Sequence, residues 1–335
     1  MENINKFEKN PEKEFLYNTE GRLNRFAEWR DAQLPKILSI LDYIESEDRT
    51  RKQIGNIVRA VINGAEVLVR QKNMVAREEK TLGSGKQDVV SKADIDSQSE
   101  IIKSLEASFD PSEHLFIGEE GRQGNEKASS VFLIDSLDGT RAYMLDYDDY
   151  SMSVAHEENG QVDFAIVFMP EKGRLFLSYK GQSFYLDEDG TKPVSIHPGE
   201  FKDSLLYTDF SDVAESEEIN GAMSKFWTQV RHQSPPFKEV RYNSAAFGIP
   251  DTVFKNGNAF IGFDLEKVDV AAAAYFALCG GAKVWTSITA EHQGFILVTN
   301  GDQDTETMFL AKIEELFPDE HSKMYELTID NVIFK

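Results

Sequence analysis

The chain has 335 residues and carries 58 Asp and Glu against 36 Lys and Arg, a formal net charge of −22. That excess of negative charge excludes a role built on neutralising a nucleic-acid backbone, where many Lys and Arg must displace counterions. A single cysteine rules out a disulfide framework, no histidine sits in a zinc-type cluster, and no window approaches the ~18 apolar residues of a membrane-spanning helix.

Residues 1–50 read as a helical extension. Leu34, Ile37, Leu38, Leu41 and Ile44 follow helical spacing after a start at Pro35, which predicts packing on the body of the protein or on a partner chain. The first residues, rich in Glu, Asn and Lys, lack a signal-peptide core, so a soluble, cytoplasmic protein is expected. A second helix is predicted near residues 53–70, with Ile54, Ile57, Val58, Val61, Ala65 and Leu68 forming a core stripe. Gly83-Ser84-Gly85-Lys86 imitates a phosphate loop but fails the motif, because Lys80 stands where glycine is required and Gln87 where Ser or Thr is required. It is read as a flexible loop.

Next come three acidic segments. Val89-Val90-Ser91-Lys92-Ala93-Asp94 places Asp94 at the start of a polar helical stretch, and Leu115-Phe116-Ile117-Gly118 is a short strand ending in Glu119 and Glu120. Residues 131–140 form an apolar strand that presents Asp135 and Asp138 and turns on Gly139 into Thr140. Two unpaired carboxylates that close repel by about 4 kcal/mol at an effective dielectric of about 20, a cost that a hard divalent cation removes. Gly139 allows close backbone approach, and the N–H groups after it suit an anion. Taken singly, each segment also reads as an ordinary turn, cap or loop charge.

Apolar runs at 131–135, 151–156, 162–168, 174–179 and 182–186, broken by Asn159-Gly160, Lys172-Gly173 and Lys180-Gly181, predict an antiparallel meander. Asp187-Glu188-Asp189-Gly190 lacks calcium-loop spacing and is a hairpin turn. From about residue 196 the pattern changes to alternating strands and helices, with strands at 204–208, 258–263, 281–285 and 294–298. Asp269 is read as the N-cap of an alanine-rich helix running to Cys279, a packed core residue, and closed by Gly280-Gly281.

Order and context together resemble the inositol monophosphatase superfamily, the Mg²⁺-dependent, lithium-sensitive phosphatases, over roughly residues 54–300. The resemblance implies a layered α-β-α-β-α sandwich of the sugar phosphatase type, mixing α+β and α/β character. Its two lobes are expected at 51–198 and 199–335, with the active site between them. It implies that Glu119, Asp135 and the Leu137 carbonyl bind a first metal, and Asp135, Asp138 and Asp269 a second. A third, weaker ion near Glu119 is also implied, with Asp94 holding its water. Two or three Mg²⁺ ions are therefore expected, with Mn²⁺ an alternative. A metal-bound water oriented by Thr140 and Glu119 would be the nucleophile. The amides of Gly139 and Thr140 would hold the phosphate. The partner expected is a small phosphorylated metabolite, with no nucleic-acid polymer and no membrane, and a homodimer as in many relatives.

The departures from the family pattern bear on substrate. Ser136 replaces the usual proline, which is expected to loosen the turn, and Val268 replaces the tryptophan before Asp269. Arg141-Ala142-Tyr143 resembles the histidinol phosphatases, and the basic residue also resembles the bisphosphate nucleotidases. Gly262 stands where inositol and histidinol phosphatases carry a substrate-contacting glutamate. Arg141, Ser244, Ala245, Gly262 and Lys267 are therefore the candidates for the leaving-group pocket. An inositol- or sugar-phosphate phosphatase is expected. The alternatives are a 3'(2'),5'-bisphosphate nucleotidase and a non-catalytic regulator that binds a phosphorylated ligand on the same fold.

Overall fold

The structure is a computed structural model that describes residues 11–72, 77–81, 87–196, 205–210, 217–232, 237–255 and 257–334. The Gly83–Lys86 loop, part of the 196–203 transition and the expected lobe boundary at 198/199 lie outside the described residues.

The chain opens with two helices, α1 (Pro11–Ile44) and α2 (Asp48–Gln71), followed by a hairpin of β1 (Arg77–Thr81) and β2 (Gln87–Ser91). Pro35 lies inside α1 rather than at its start: the helix runs through it and forgoes the one backbone bond that proline cannot donate. Likewise α2 begins at Asp48, earlier than its apolar stripe indicated. The stripe itself, Ile54 to Leu68, is buried as expected. The extension packs on the body, where Phe26, Ile37 and Leu41 join the core beneath α2.

After α3 (Lys92–Glu106) come β3 (His114–Gly118), β4 (Gly121–Gly124), β5 (Ser130–Asp138) and the short helix α4 (Thr140–Met144). The meander follows as β6 (Ser151–Glu158), β7 (Gln161–Met169), β8 (Arg174–Tyr179), β9 (Gln182–Asp187) and β10 (Gly190–Val194). Two-residue loops at Asn159-Gly160 and Lys180-Gly181 adopt positive φ at both positions, the turn whose twist matches antiparallel neighbours. Among the described residues the first sheet has the order β10-β9-β8-β7-β6-β5-β3-β4, antiparallel except where β3 runs parallel to β5.

The remaining elements are β11 (Leu205–Phe210), α5 (Glu217–Arg231), β12 (Lys238–Arg241), α6 (Ala245–Phe254), β13 (Ala259–Leu265), α7 (Lys267–Cys279), β14 (Lys283–Thr286), β15 (Gly294–Thr299), α8 (Gln303–Leu316), α9 (Pro318–Lys323) and β16 (Tyr325–Leu327). The second sheet has the order β12-β11-β13-β15-β14-β16. Three apolar clusters define the layers. One packs α1, α2 and α3 on Phe132, Ile134, Val154 and Ile166 of the first sheet. Another packs α6 and α7 between Leu133, Ala155 and Val167 of that sheet and Phe260, Val284 and Ile296 of the second. The last covers Leu206, Ile261 and Leu297 with Phe226, Phe309 and Ile313 from α5 and α8. The result is the expected α-β-α-β-α sandwich.

Both faces of the first sheet are covered, which is why its strands read as near-continuous apolar runs. The middle helix α7 is apolar on every side because it touches two sheets, and its alanines let them approach closely. Replacing the fully buried Ala273 by leucine should therefore overpack this layer and cost about 1–3 kcal/mol. A lowered urea midpoint with an unchanged slope is the expected result.

Candidate active site

The site is organised by an irregularity in β5. Residues three apart on a regular strand face opposite sides of the sheet. In β5, however, Asp135 pairs with Ser153 and Asp138 with Ser151, so the ladder carries a bulge between the two aspartates. The extra residue turns both carboxylates toward one side. Leu137 N–H donates to Asp135 Oδ1 at 3.0 Å, and the Ser136 hydroxyl donates to the Asp94 carbonyl at 2.9 Å. Ser136, expected to loosen this turn, instead ties it to the start of α3.

Gly139 follows with φ +92°, and a Cβ there would lie 2.8 Å from the Asn243 carbonyl. Only glycine meets both conditions without strain. It caps α4, and the half-buried Thr140 places its Oγ1 3.1 Å from both Asp94 Oδ1 and the Leu137 carbonyl. Its single proton serves one of these acceptors at a time.

Two carboxylates occupy the third position of a helix. In α3 the N-cap is Ser91, whose N–H donates to Asp94 Oδ2 at 2.8 Å, closing a capping box. In α7 the N-cap is Glu266, not Asp269 as the sequence indicated. Asp269 accepts the Glu266 N–H at 2.6 Å from inside the first turn. Glu119 and Glu120 form the two-residue turn between β3 and β4, where Gly118 pairs with Gly121. Ser244, which caps α6, donates to Asp138 Oδ2 at 2.8 Å, and the Ala246 N–H donates to the same oxygen at 2.6 Å. The first turns of α3, α4, α6 and α7 therefore all reach the end of β5, and each brings the positive end of a helix dipole toward negative charge.

The charges act on one another strongly. Burial pushes the Asp135 carboxyl well above the ordinary carboxylate range, and the charges of Asp138, Glu119 and Asp269 push it further. Burial raises Asp269 in the same way, reinforced by Glu119. Asp138 is raised to about 6 by burial, against the opposing hydrogen bonds from Ala246 and Ser244. Asp94 is also pushed up to about 6 by burial, which outweighs its bonds from Ser91 and Thr140. Glu119, Asp135, Asp138 and Asp269 thus share one electrostatic neighbourhood. Among the described residues, no three His, Cys, Asp or Glu side chains stand close enough to form a ready-made ion cage.

The pocket candidates divide. Ser244 and Ala245 are buried, and Ser244 Oγ bridges Asp138 to Ser151 Oγ, also at 2.8 Å. Lys267 is paired with the buried Glu157 at 2.6 Å. A Cβ on Gly262 would lie 2.5 Å from Leu265 Cδ1 and 3.1 Å from Phe260 Cε1, so the space for a side chain at this position is already filled. Arg141 is exposed on the outer side of α4.

Residues 49–286 match the sequence profile of the inositol monophosphatase family. The chain belongs to that family. Its relatives include a Nus factor SuhB from Xylella fastidiosa, 26% identical over 231 residues, which are 68% of this chain and 74% of that protein. An inositol-1-monophosphatase from Bacillus subtilis is 24% identical over 196 residues, 56% and 69% of the two chains. Among solved structures, a Thermotoga maritima IMPase superposes with a TM-score of 0.63 at 20% identity, covering 77% of this chain and 97% of that one. The extragenic suppressor protein suhB from Bartonella henselae gives 0.64 at 19% identity, covering 78% and 98%. These structural likenesses establish the fold.

Within this inositol monophosphatase fold, the serines at positions 136, 151 and 244 were not legible as a group. Ser136 and Ser244 stand out in the sequence singly, as the replacement for a proline and as a pocket candidate, whereas Ser151 carries no signal beyond the acidic pair Asp148-Asp149 shortly before it. Removing the Ser244 hydroxyl takes the cap from α6 and a donor from Asp138. Ser244→Ala should cost about 1–2 kcal/mol, measured by urea unfolding at pH 7.

Proposed function

We propose that this family member is a metal-dependent phosphomonoesterase acting on a small phosphorylated metabolite. The observation that carries the reading is the convergence of Glu119, Asp135, Asp138 and Asp269 on one partly buried neighbourhood beside the Thr140–Asp94 pair. Burial raises Asp135, Asp138 and Asp269, the neighbouring charges push Asp135 and Asp269 further, and with Glu119 they form an all-oxygen donor set of high negative charge, which fits Mg²⁺ or Mn²⁺ in chemistry. Binding would draw them closer than they stand here. Glu119, Asp135, the Leu137 carbonyl, Asp138 and Asp269 would hold two or three such ions. Bound there, a divalent cation lowers the pKa of water and stabilises charge on the leaving oxygen.

The rest of the work belongs to the chain. Thr140 Oγ1 would orient the attacking water and pass hydrogen-bond polarity to Asp94, with Glu119 on the same water. Ionised Asp94 accepts from Thr140 more strongly than its neutral form and better polarises that hydroxyl, so its pKa sets an acid limit. The amides of Gly139 and Thr140, at the start of α4, would hold phosphate oxygens. Arg141, exposed one residue beyond, would meet any second anionic group on the substrate.

The filled space at Gly262 argues against a leaving group read by a carboxylate at that position, as an inositol would be. Together with Arg141 it favours, as the second reading, a nucleoside 3'(2'),5'-bisphosphate. The regulator reading draws on relatives named Nus factor SuhB. A net charge of −22 weighs against direct contact with a nucleic-acid backbone in such a role.

Phosphate release should be measured from inositol phosphates, fructose 1,6-bisphosphate, histidinol phosphate, adenosine 3',5'-bisphosphate and NADP, with Mg²⁺ and with EDTA. Release that needs Mg²⁺ and vanishes in Asp138→Asn supports the hydrolase. A folded, Mg²⁺-binding protein that releases nothing sinks it in favour of the regulator. The pH dependence follows from Asp94. Its pKa is raised, so below about pH 6 it is protonated and accepts from Thr140 only as a weaker, neutral acceptor, and the rate should fall as pH drops through about 6. The same burial makes its charge a cost to the folded state at neutral pH. Asp94→Asn should therefore unfold at higher temperature than the wild type at pH 7 while losing roughly 100-fold or more in rate.

A further inference from the structure

Helix α1 lies before residue 49, outside the family match, yet it reaches the segment that follows the candidate active site. Trp29 stacks on Phe168 with ring centroids 4.6 Å apart and donates Nε1–H to the Gly173 carbonyl at 3.0 Å. These contacts fix the middle of α1 against the ends of β7 and β8. Seven residues earlier, the buried Arg22 extends to Asp146 Oδ1 at 2.5 Å and lies 3.7 Å from Glu171 Oε1.

Asp146 sits two residues beyond α4 in a left-handed conformation, φ +64°, which aspartate tolerates better than most non-glycine residues and which its contacts here fix. A second buried cation helps. Lys72, with no exposed side-chain surface, donates to the Tyr147 carbonyl at 3.0 Å and to Asp148 Oδ1 at 2.8 Å, and it lies over the Tyr150 ring. The far end of this segment touches the site itself. From the Cβ position of Gly139, the Asp149 carbonyl is 3.1 Å away and Tyr150 Cα 3.3 Å. In α4, Tyr143 rests edge-on against Tyr150 and donates its hydroxyl to the Leu68 carbonyl at 2.8 Å.

We infer that Arg22 is a positioning residue of the candidate active site: through Asp146 it holds residues 145–150, and through them Gly139 and Thr140 at the start of α4. Lys72 holds the middle of the segment and stands 4.0 Å from Asp146 Oδ1, Lys172 pairs with Asp149 near its end, and Arg22 makes the closer, 2.5 Å bond to Asp146 at its beginning. Among the described residues, the buried Arg22 Nη1 meets no hydrogen-bond partner. A family member without this helix would have to fix the same segment by other means.

The activity arm of the test rests on the hydrolase reading, and the exchange arm does not. Arg22→Met keeps the aliphatic stem and removes the donors, while Arg22→Lys keeps the charge. Amide hydrogen exchange in Arg22→Met should accelerate roughly tenfold at residues 139–150 and stay unchanged in β13 and β15. With the best substrate of the phosphate panel, kcat should fall roughly tenfold with KM nearly constant, and Arg22→Lys should recover part of the loss. Wild-type exchange at 139–150, a uniform acceleration across the chain, or a loosened segment with unchanged kcat each overturns the inference. If the wild-type protein shows no turnover, the hydrolase reading fails and exchange at Gly139 and Thr140 decides alone: local acceleration upholds the positioning role and its absence removes it.

Discussion

Four carboxylates held near one another in a partly desolvated place are the constraint on which the rest of this molecule depends. Left to themselves they would stay protonated or drive the site apart, as the raised pKa values of Asp135, Asp138 and Asp269 register. Backbone N–H groups hold three of them, and Asp94 beside them. Asp94 and Asp269 are locked into capping boxes, Asp138 accepts the N–H of Ala246, and Asp135 accepts that of Leu137. The fold keeps negative charge at the ends of four helices whose dipoles favour it, and the same ends favour a bound anion.

The five-layer architecture follows from delivering those helix ends to one place. α3 comes from the outer layer over the first sheet, while α6 and α7 come from the layer between the sheets. The alanines of α7 let the helix lie close on the first sheet, and Asp269 in its first turn feels the charge of Glu119 at the end of that sheet. A bulkier middle helix would pull the last carboxylate away from the others. The apolar clusters are thus a spacing device for the acidic neighbourhood as well as a source of stability.

Much of this was legible from the chain. Turn chemistry set the meander, because paired positive-φ positions at Asn159-Gly160 and Lys180-Gly181 leave few other structures open. The apolar stripe of α2 and the acidic motifs followed from periodicity and residue type. Other features were misread for identifiable reasons. Pro35 reads as a helix start by local preference, but burial of Phe26 and its neighbours carries α1 through it. Asp269 reads as a cap, yet Glu266 three residues earlier completes the box and takes that role.

The sequence by itself determined which groups are available: the acidic residues, the glycine that alone fits after Asp138, and the strands and helices that bear them. Their relative placement came only with the tertiary structure. Asp135 and Asp138, three apart, would face opposite sides of a regular strand, and a bulge opposite β6 brings them together. A bulge is a property of two paired strands, since the extra residue exists only relative to a partner's register, and so no single segment encodes it. The reach of Arg22 to Asp146 belongs to the same class, a contact between side chains 124 positions apart that only the folded chain makes neighbours.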